Sequence, residues 1–178
     1  ASDVYKRQEE SRLENLTNEG GVDYRYRYLR NIMGLWIIQS IKRNLEDAYS
    51  FNDLEQLARE NSGFSSRVDV NDQRFMAPKN MIEAIRSYCR DTGQAVPESV
   101  GEVMQCAYAS LARCYAQSAG AIEKVLCRKY DCIRIVGGGC QDGYLNELTA
   151  RATGKTVYAG PVEATALGNV LAQLMADG

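Results

Sequence analysis

Three consecutive glycines, Gly137, Gly138 and Gly139, follow the apolar run Ile133-Arg134-Ile135-Val136 and precede a helical pattern that carries Tyr144, Leu145 and Leu148 and stops at Gly154. Glycine loses more backbone entropy on folding than any other residue and buries no side chain, so three in a row need a reason. One reason is a ligand that comes closer to the main chain than a Cβ allows. At the carboxyl end of a strand, facing a helix N-terminus, that ligand is commonly a phosphate or a nucleotide. The other reason is a tight strand-to-helix turn with no ligand. The run matches neither GxGxxG nor GxxxxGK[ST]. Without a Lys, Ser or Thr beside the glycines it suits the adenosine part or the α-phosphate and offers no charge to a transferring γ-phosphate.

Asn31 and Gln39 flank the apolar segment Ile32-Met33-Gly34-Leu35-Trp36-Ile37-Ile38. Eight residues are about two helical turns, so on a helix both lie roughly on one side. They read either as a cap and a solvent-facing side chain, or as two neutral hydrogen-bond partners looking into a cleft. Histidine is absent from the chain. That removes Ser-His-Asp and Cys-His nucleophile systems and the HExxH zinc site. A general base within this chain would be a carboxylate, Lys, Tyr or Cys. The six cysteines, at 89, 106, 114, 127, 132 and 140, form no CxxC pair, so no zinc site is expected. They read as buried thiols of a reducing cytoplasm. Cys89 and Cys106 stand apart as a candidate disulfide, because they fall near facing ends of two consecutive helices.

The elements that position these residues are legible in part. Asn18-Glu19-Gly20-Gly21 reads as a turn, and Tyr24, Tyr26 and Tyr28 alternate with Arg25 and Arg27 as an edge strand would. The Ile32–Gln39 run, apolar nearly all round, predicts a buried helix. Ser50 is placed to cap a helix over Asn52–Glu60, and Asn80 one from Met81 to about Arg90. A loop or short strand surrounds Val68–Val70. Ser99 and Glu102 form a capping box before a long helix whose apolar positions step from Val103 to Val125. Then come strand Cys132–Val136, the glycine loop, a helix from about Tyr144, strand Thr156–Ala159 and a final helix from Val162 to about Met175. This β-α-β-α order predicts two parallel neighbouring strands. Gly168, inside the last helix, is expected to pack closely against the sheet.

The chain has 178 residues, a net charge of −2 and 45 % apolar residues, which suits a globular domain with a real core. The charge gives no attraction for nucleic acid or an anionic membrane. No apolar run approaches the ~20 residues of a membrane helix, and no secretory signal is present. Residues 1–10 read as a non-native or disordered leader, and 11–178 as one domain cut short.

Several motifs resemble one family. Asn18-Glu-Gly-Gly-Val22, Asn31-Ile-Met-Gly-Leu-Trp-Ile-Ile-Gln39, Phe75-Met-Ala-Pro-Lys-Asn-Met81, Thr92-Gly-Gln-Ala-Val-Pro97, Val136-Gly-Gly-Gly-Cys-Gln141 and Ala159-Gly-Pro-Val-Glu-Ala164 resemble the rhamnulokinase branch of the FGGY carbohydrate kinases. The resemblance spans about residues 11–176. It implies an α/β fold of the ribonuclease-H-like, actin/hexokinase ATPase type, and a chain that is most of the second domain of a two-domain sugar kinase. It implies MgATP, or ADP, and L-rhamnulose as ligands, with phosphate transferred to O1. It puts Gly138 and Gln39 at the nucleotide and Asn31 at the sugar, with Gly137 and Gly139 shaping the same loop. The Cys89/Cys106 spacing also resembles a pair bridged in some members. The family's general base is an aspartate of a His-Asp motif, which nothing here resembles. No catalytic residue and no Mg²⁺ ligand is therefore assigned, the missing N-terminal domain is an expected partner, and the fragment alone is expected to be inactive. Another FGGY ketose kinase, or a non-catalytic nucleotide-binding module on the same fold, remains the alternative.

Overall fold

The computed structural model describes residues 9–21 and 26–176. Among the described residues, two separate two-stranded sheets and six helices of nine residues or more carry the fold. Strand β1 (Thr17–Gly20) pairs antiparallel with β2 (Tyr26–Leu29), with Asn18 opposite Tyr28 and Glu19 opposite Arg27. The expected turn at Asn18–Gly20 is thus strand instead. The expected strand start at Tyr24 and Arg25 lies outside the described residues, as do residues 1–8 of the expected leader; residues 9–13, which include its end, are helical.

Helices α1 (Trp36–Asn44), α2 (Phe51–Glu60), α3 (Met81–Asp91) and α4 (Val100–Leu126) follow. Their starts are set by side-chain caps that satisfy the free N–H groups of the first turn. Ser50 Oγ accepts from Asp53 N at 3.1 Å while the Asp53 carboxylate accepts from Ser50 N at 2.8 Å. Asn80 Oδ1 accepts from Glu83 N at 3.1 Å, and Ser99 Oγ from Glu102 N at 3.1 Å. Around Val68 and Val70 there is loop, not strand, yet both side chains are buried.

Helix α4 is the axis of the core. From Val103 to Ala112 every residue is buried; beyond that only Cys114, Ser118, Ala121, Glu123 and Val125 are. Ile37, Ile41, Leu54, Met81 and Ile85 pack around its first half. Helix α2 crosses it so closely that a Cβ on Gly101 would lie 2.8 Å from the Leu57 carbonyl oxygen and 2.1 Å from Asn61 Nδ2.

Strand β3 (Cys132–Ile135) runs into the glycine loop, helix α5 (Gly143–Thr153), strand β4 (Thr156–Ala159) and helix α6 (Ala164–Ala176). The two strands are parallel, as expected, with Ile133 opposite Val157. Gly154, at φ +66°, closes α5 in the left-handed conformation that favours glycine. Other expectations fail. The segment before Trp36 is not helical, because Gly34 turns the chain at φ +56°. Helix α1 is amphipathic rather than buried all round, with Ile37, Ile38 and Ile41 inside and Gln39 outside. Gly168 packs against nothing, since a Cβ there would meet no atom within 4 Å. Cys127 and Cys132 are exposed, not buried.

Candidate functional site

The glycine loop begins where β3 ends. Gly137 sits at φ +79°, so it supplies a backbone conformation that a Cβ disfavours. Its N–H donates to Pro161 O at 3.0 Å, and Cys140 N donates to Gly137 O at 3.0 Å. Gly138 to Gln141 form one 3₁₀ turn. Asp142 then caps α5, with Oδ1 accepting from Leu145 N at 2.9 Å. Each glycine has a different reason to be one. A Cβ on Gly138 would meet nothing within 4 Å, whereas one on Gly139 would lie 2.8 Å from Leu35 Cδ1.

The space in front of Gly138 is an open cavity of about 690 Å³ between α1, α2 and the start of α5. Gly138, Gly139 and Gln39 all line it. The Gln39 carboxamide has no hydrogen-bond partner among the described residues and is free to meet a ligand. Leu35, Ile38 and the half-exposed ring of Phe51 give the cavity its apolar walls, and Asn52, Glu55, Gln141 and Asp142 its polar edges. No Lys or Arg lines it.

Two hydrogen-bonded chains fix the acidic rim. The Glu55 carboxylate accepts from Arg59 Nη2 at 2.9 Å, and Arg59 Nη1 donates to Glu147 at 2.6 Å. The Arg59 guanidinium lies 4.4 Å over the Tyr144 ring, and Tyr144 OH donates to Gln105 Oε1 at 2.8 Å. Tyr108 OH donates to Asp142 Oδ2 at 2.8 Å. Burial pushes the Asp142 carboxyl above its ordinary range, against the lowering effect of its hydrogen bonds to Leu145 N–H and the Tyr108 hydroxyl. The site is therefore apolar, amide-lined and acidic at one edge. Such a surface suits a flat base and ribose hydroxyls and repels phosphates.

Not all expected site residues meet here. Gly137 shapes the loop but does not line the cavity. Asn31 is not on the helix of Gln39; it lies in the extended stretch before Gly34 and opens onto a second cavity of about 420 Å³, with Arg30, Asp69, Asn71, Arg113 and Gln117. The two residues do not share one cleft, because Gly34 breaks the helix that would have aligned them. Cys89 and Cys106 are free buried thiols on α3 and α4, and burial pushes Cys106 up to about 12. Among the described residues no group of three or more His, Cys, Asp and Glu could hold a metal ion, and no helix is long and apolar enough to cross a membrane. Phe51, Asn52 and Glu55 carried no local motif, and only the packing of α2 and α5 on α4 brings them to the glycines; Asp142 belongs to the loop itself, its N–H donating to Gly139 O at 3.3 Å.

The profile of the FGGY family of carbohydrate kinases, C-terminal domain, matches residues 1–176. This chain belongs to that family. The FGGY domain is 50 % identical over 164 residues to the rhamnulokinase of Halalkalibacterium halodurans, which covers 92 % of this chain and 35 % of that protein. It is 51 % identical over 162 residues to the rhamnulokinase of Oceanobacillus iheyensis, covering 91 % and 34 %. Against the rhamnulokinase of Bacillus subtilis the figures are 43 % over 162 residues, 91 % and 33 %. The FGGY domain thus spans about a third of the length of these relatives. Its mixed helix and strand content is that of an α/β domain.

Proposed function

We propose that this FGGY domain is the nucleotide-binding part of a rhamnulokinase, which transfers the γ-phosphoryl group of MgATP to O1 of L-rhamnulose in the cytoplasm. The observation that carries the proposal is the shared cavity of Gln39, Gly138 and Gly139. Adenosine fits it: the walls are apolar, Gln39 and Asn52 offer amides to a base, and Glu55 faces ribose hydroxyls. The empty position of a Cβ on Gly138 is where the ligand comes closest to the main chain. Asn31 stands toward the sugar. From Gln39 to Asn31 the chain reaches at most about 22 Å, a span that a nucleoside triphosphate and the sugar it phosphorylates can fill.

In this reading the domain binds and orients, and the chemistry is completed by the rest of the longer protein, a first domain that closes a ribonuclease-H-like pair over the cleft. Phosphoryl transfer depends on positioning and on charge stabilisation. The cavity has no cation for the phosphates. Its two carboxylates are already engaged, Glu55 by Arg59 and Asp142 by Leu145 N–H and Tyr108 OH, so they do not fit as Mg²⁺ ligands. No general base is assigned to this chain. The test is a comparison: the longer protein forms ADP in an L-rhamnulose-dependent way and prefers it over other ketoses, while the 178 residues bind ADP without turnover. L-rhamnulose-dependent ATP consumption by the 178 residues alone overturns the division of labour.

A further inference from the structure

The buried half of α4 carries two polar side chains that reach toward the start of α5. Gln105 and Tyr108 are 2 % and 1 % exposed and three residues apart, so they lie on one side of the helix. Phenylalanine would fill the same space at position 108, so the buried hydroxyl needs a reason. It donates to Asp142 Oδ2 at 2.8 Å. The Tyr108 and Tyr144 rings meet edge to face with centroids 5.5 Å apart, and Tyr144 OH donates to Gln105 Oε1 at 2.8 Å. The Gln105 bond fastens α5 itself. The Tyr108 bond fastens the glycine loop.

Asp142 joins the loop to α5. Its N–H donates to Gly139 O at 3.3 Å, its Oδ1 accepts from Leu145 N at 2.9 Å, and it lines the nucleotide cavity with Gly138. With one oxygen on α5 and the other on Tyr108, the carboxylate is fixed from both sides. The loop has little else to hold it. A Cβ on Gly137 or Gly138 would meet no atom within 4 Å, so packing does not fix these two residues. At the near end Gly137 N donates to Pro161 O at 3.0 Å. Cys140 O accepts from Asn146 Nδ2 at 2.8 Å, which ties the loop to α5 alone. Tyr108 to Asp142 is, among the described residues, the one hydrogen bond between the loop and α4. Gly138 is suspended between the turn after β4 and the clamped half of α4.

We infer that Tyr108 is a positioning residue for nucleotide binding: its hydroxyl, acting through Asp142, holds the glycine loop where Gly138 meets the nucleotide. This rests on the reading of the cavity as the nucleotide site. Tyr108 does not touch the ligand, since it is buried and does not line the cavity. It supplies preorganisation. A loop already held in its binding conformation has less freedom to lose when the nucleotide arrives, and a loop released at one end has more. A hydrogen bond to a carboxylate suits the task, being roughly twice as strong as one between neutral groups.

Tyr108→Phe in the longer protein removes the hydroxyl and keeps the ring. ADP affinity, read by calorimetric titration, should fall about tenfold, and KM for ATP should rise by a similar factor while kcat stays within about twofold. Ser66→Ala is the comparison. It removes another buried hydroxyl, whose Oγ donates to Ala95 O at 2.7 Å away from the cavity. It should lower the melting temperature about as much as Tyr108→Phe and leave ADP affinity unchanged. A double-mutant cycle reads the route through Asp142: in an Asp142→Ala background, Tyr108→Phe should change ADP affinity by less than about twofold. Should Tyr108→Phe not fold, Asp142→Ala carries the test from the other end of the bond, and undiminished ADP affinity in it overturns the inference. Losses that multiply in the double variant also overturn it, because Tyr108 then only stabilises the core. If the unsubstituted protein binds ADP and Tyr108→Phe binds it equally well, the positioning role alone falls. If the unsubstituted protein binds no ADP, the nucleotide reading falls and takes the role with it.

Discussion

Replacing Gly138 with valine puts an isopropyl group into the 690 Å³ cavity without touching the rest of the protein. Gly138 lies outside the left-handed region and has no atom within 4 Å of its Cβ position, so the fold tolerates the side chain. The nucleotide does not, if it rests on this loop. Forcing extra methyl groups into a filled contact costs about 1–3 kcal/mol, which is about 5- to 150-fold in affinity. Thermal unfolding should move by less than about 2 °C, since a domain of this size shifts roughly 2–4 °C per kcal/mol. Gly137→Ala reverses the pattern: holding alanine at φ 79°, ψ −174°, a region reserved for glycine, costs roughly 1–3 kcal/mol of stability, and the cavity is untouched. Gly139→Ala pushes only the flexible end of Leu35, 2.8 Å away, and sits between the two. Calorimetric titration with ADP and a melting curve on each variant, in the longer protein, separate these cases. Wild-type ADP affinity in Gly138→Val, or a melting loss as large as that of Gly137→Ala, refutes the placement of the nucleotide.

Gly101→Ala should destabilise the fold by about 1–3 kcal/mol, read by denaturant unfolding, because the Leu57 carbonyl 2.8 Å from the new methyl is backbone and cannot turn away. Glu123 is held down to about 2 by Lys155 Nζ at 2.6 Å, Tyr130 N at 2.8 Å and Lys129 Nζ at 3.1 Å. A depressed carboxyl stabilises above its unfolded value, about 4.3, and loses that contribution as pH falls toward 2. Melting temperature should therefore drop across that window, and Glu123→Gln should flatten the drop. Under native conditions a thiol reagent should modify Cys127 and Cys132 first, with Cys89 and Cys106 reacting only on unfolding. Mass spectrometry of oxidised protein with and without reductant shows whether Cys89 and Cys106 join; separate thiols after oxidation remove the expected bridge.

Chain-local signals carried much of the fold. Ser50, Asn80 and Ser99 place three helix starts because a cap is a contact between neighbours in sequence. Thr156–Ala159 matches its expected limits, because Gly154 and Gly160 bracket it with positive φ. The reading failed where one glycine outweighed a pattern. Gly34 turns an apolar run into an extended stretch plus a short helix, and with it Asn31 parts from Gln39. The site was legible only at its glycines and Gln39. In the structure Glu55 is one partner of an i, i+4 pair with Arg59, and Asp142 caps α5. That Glu55 also faces the glycines depends on how α2 and α5 lie on α4, which no local spacing encodes.

The uneven burial along α4 sets a mechanical gradient. Twenty-seven residues make a rod of about 40 Å. Its first half is clamped on every side, while its second half is gripped along one stripe. Gln39 and Glu55 belong to helices packed on the clamped half, whereas Lys155 ties the β4 strand to Glu123 near the far end. Yet the α5 wall of the cavity is fastened to the same clamped half, through Tyr108 OH on Asp142 and Tyr144 OH on Gln105. Motion of the loose end is therefore passed to β4 through Lys155, while both walls of the cavity ride on the stiff half and keep their spacing.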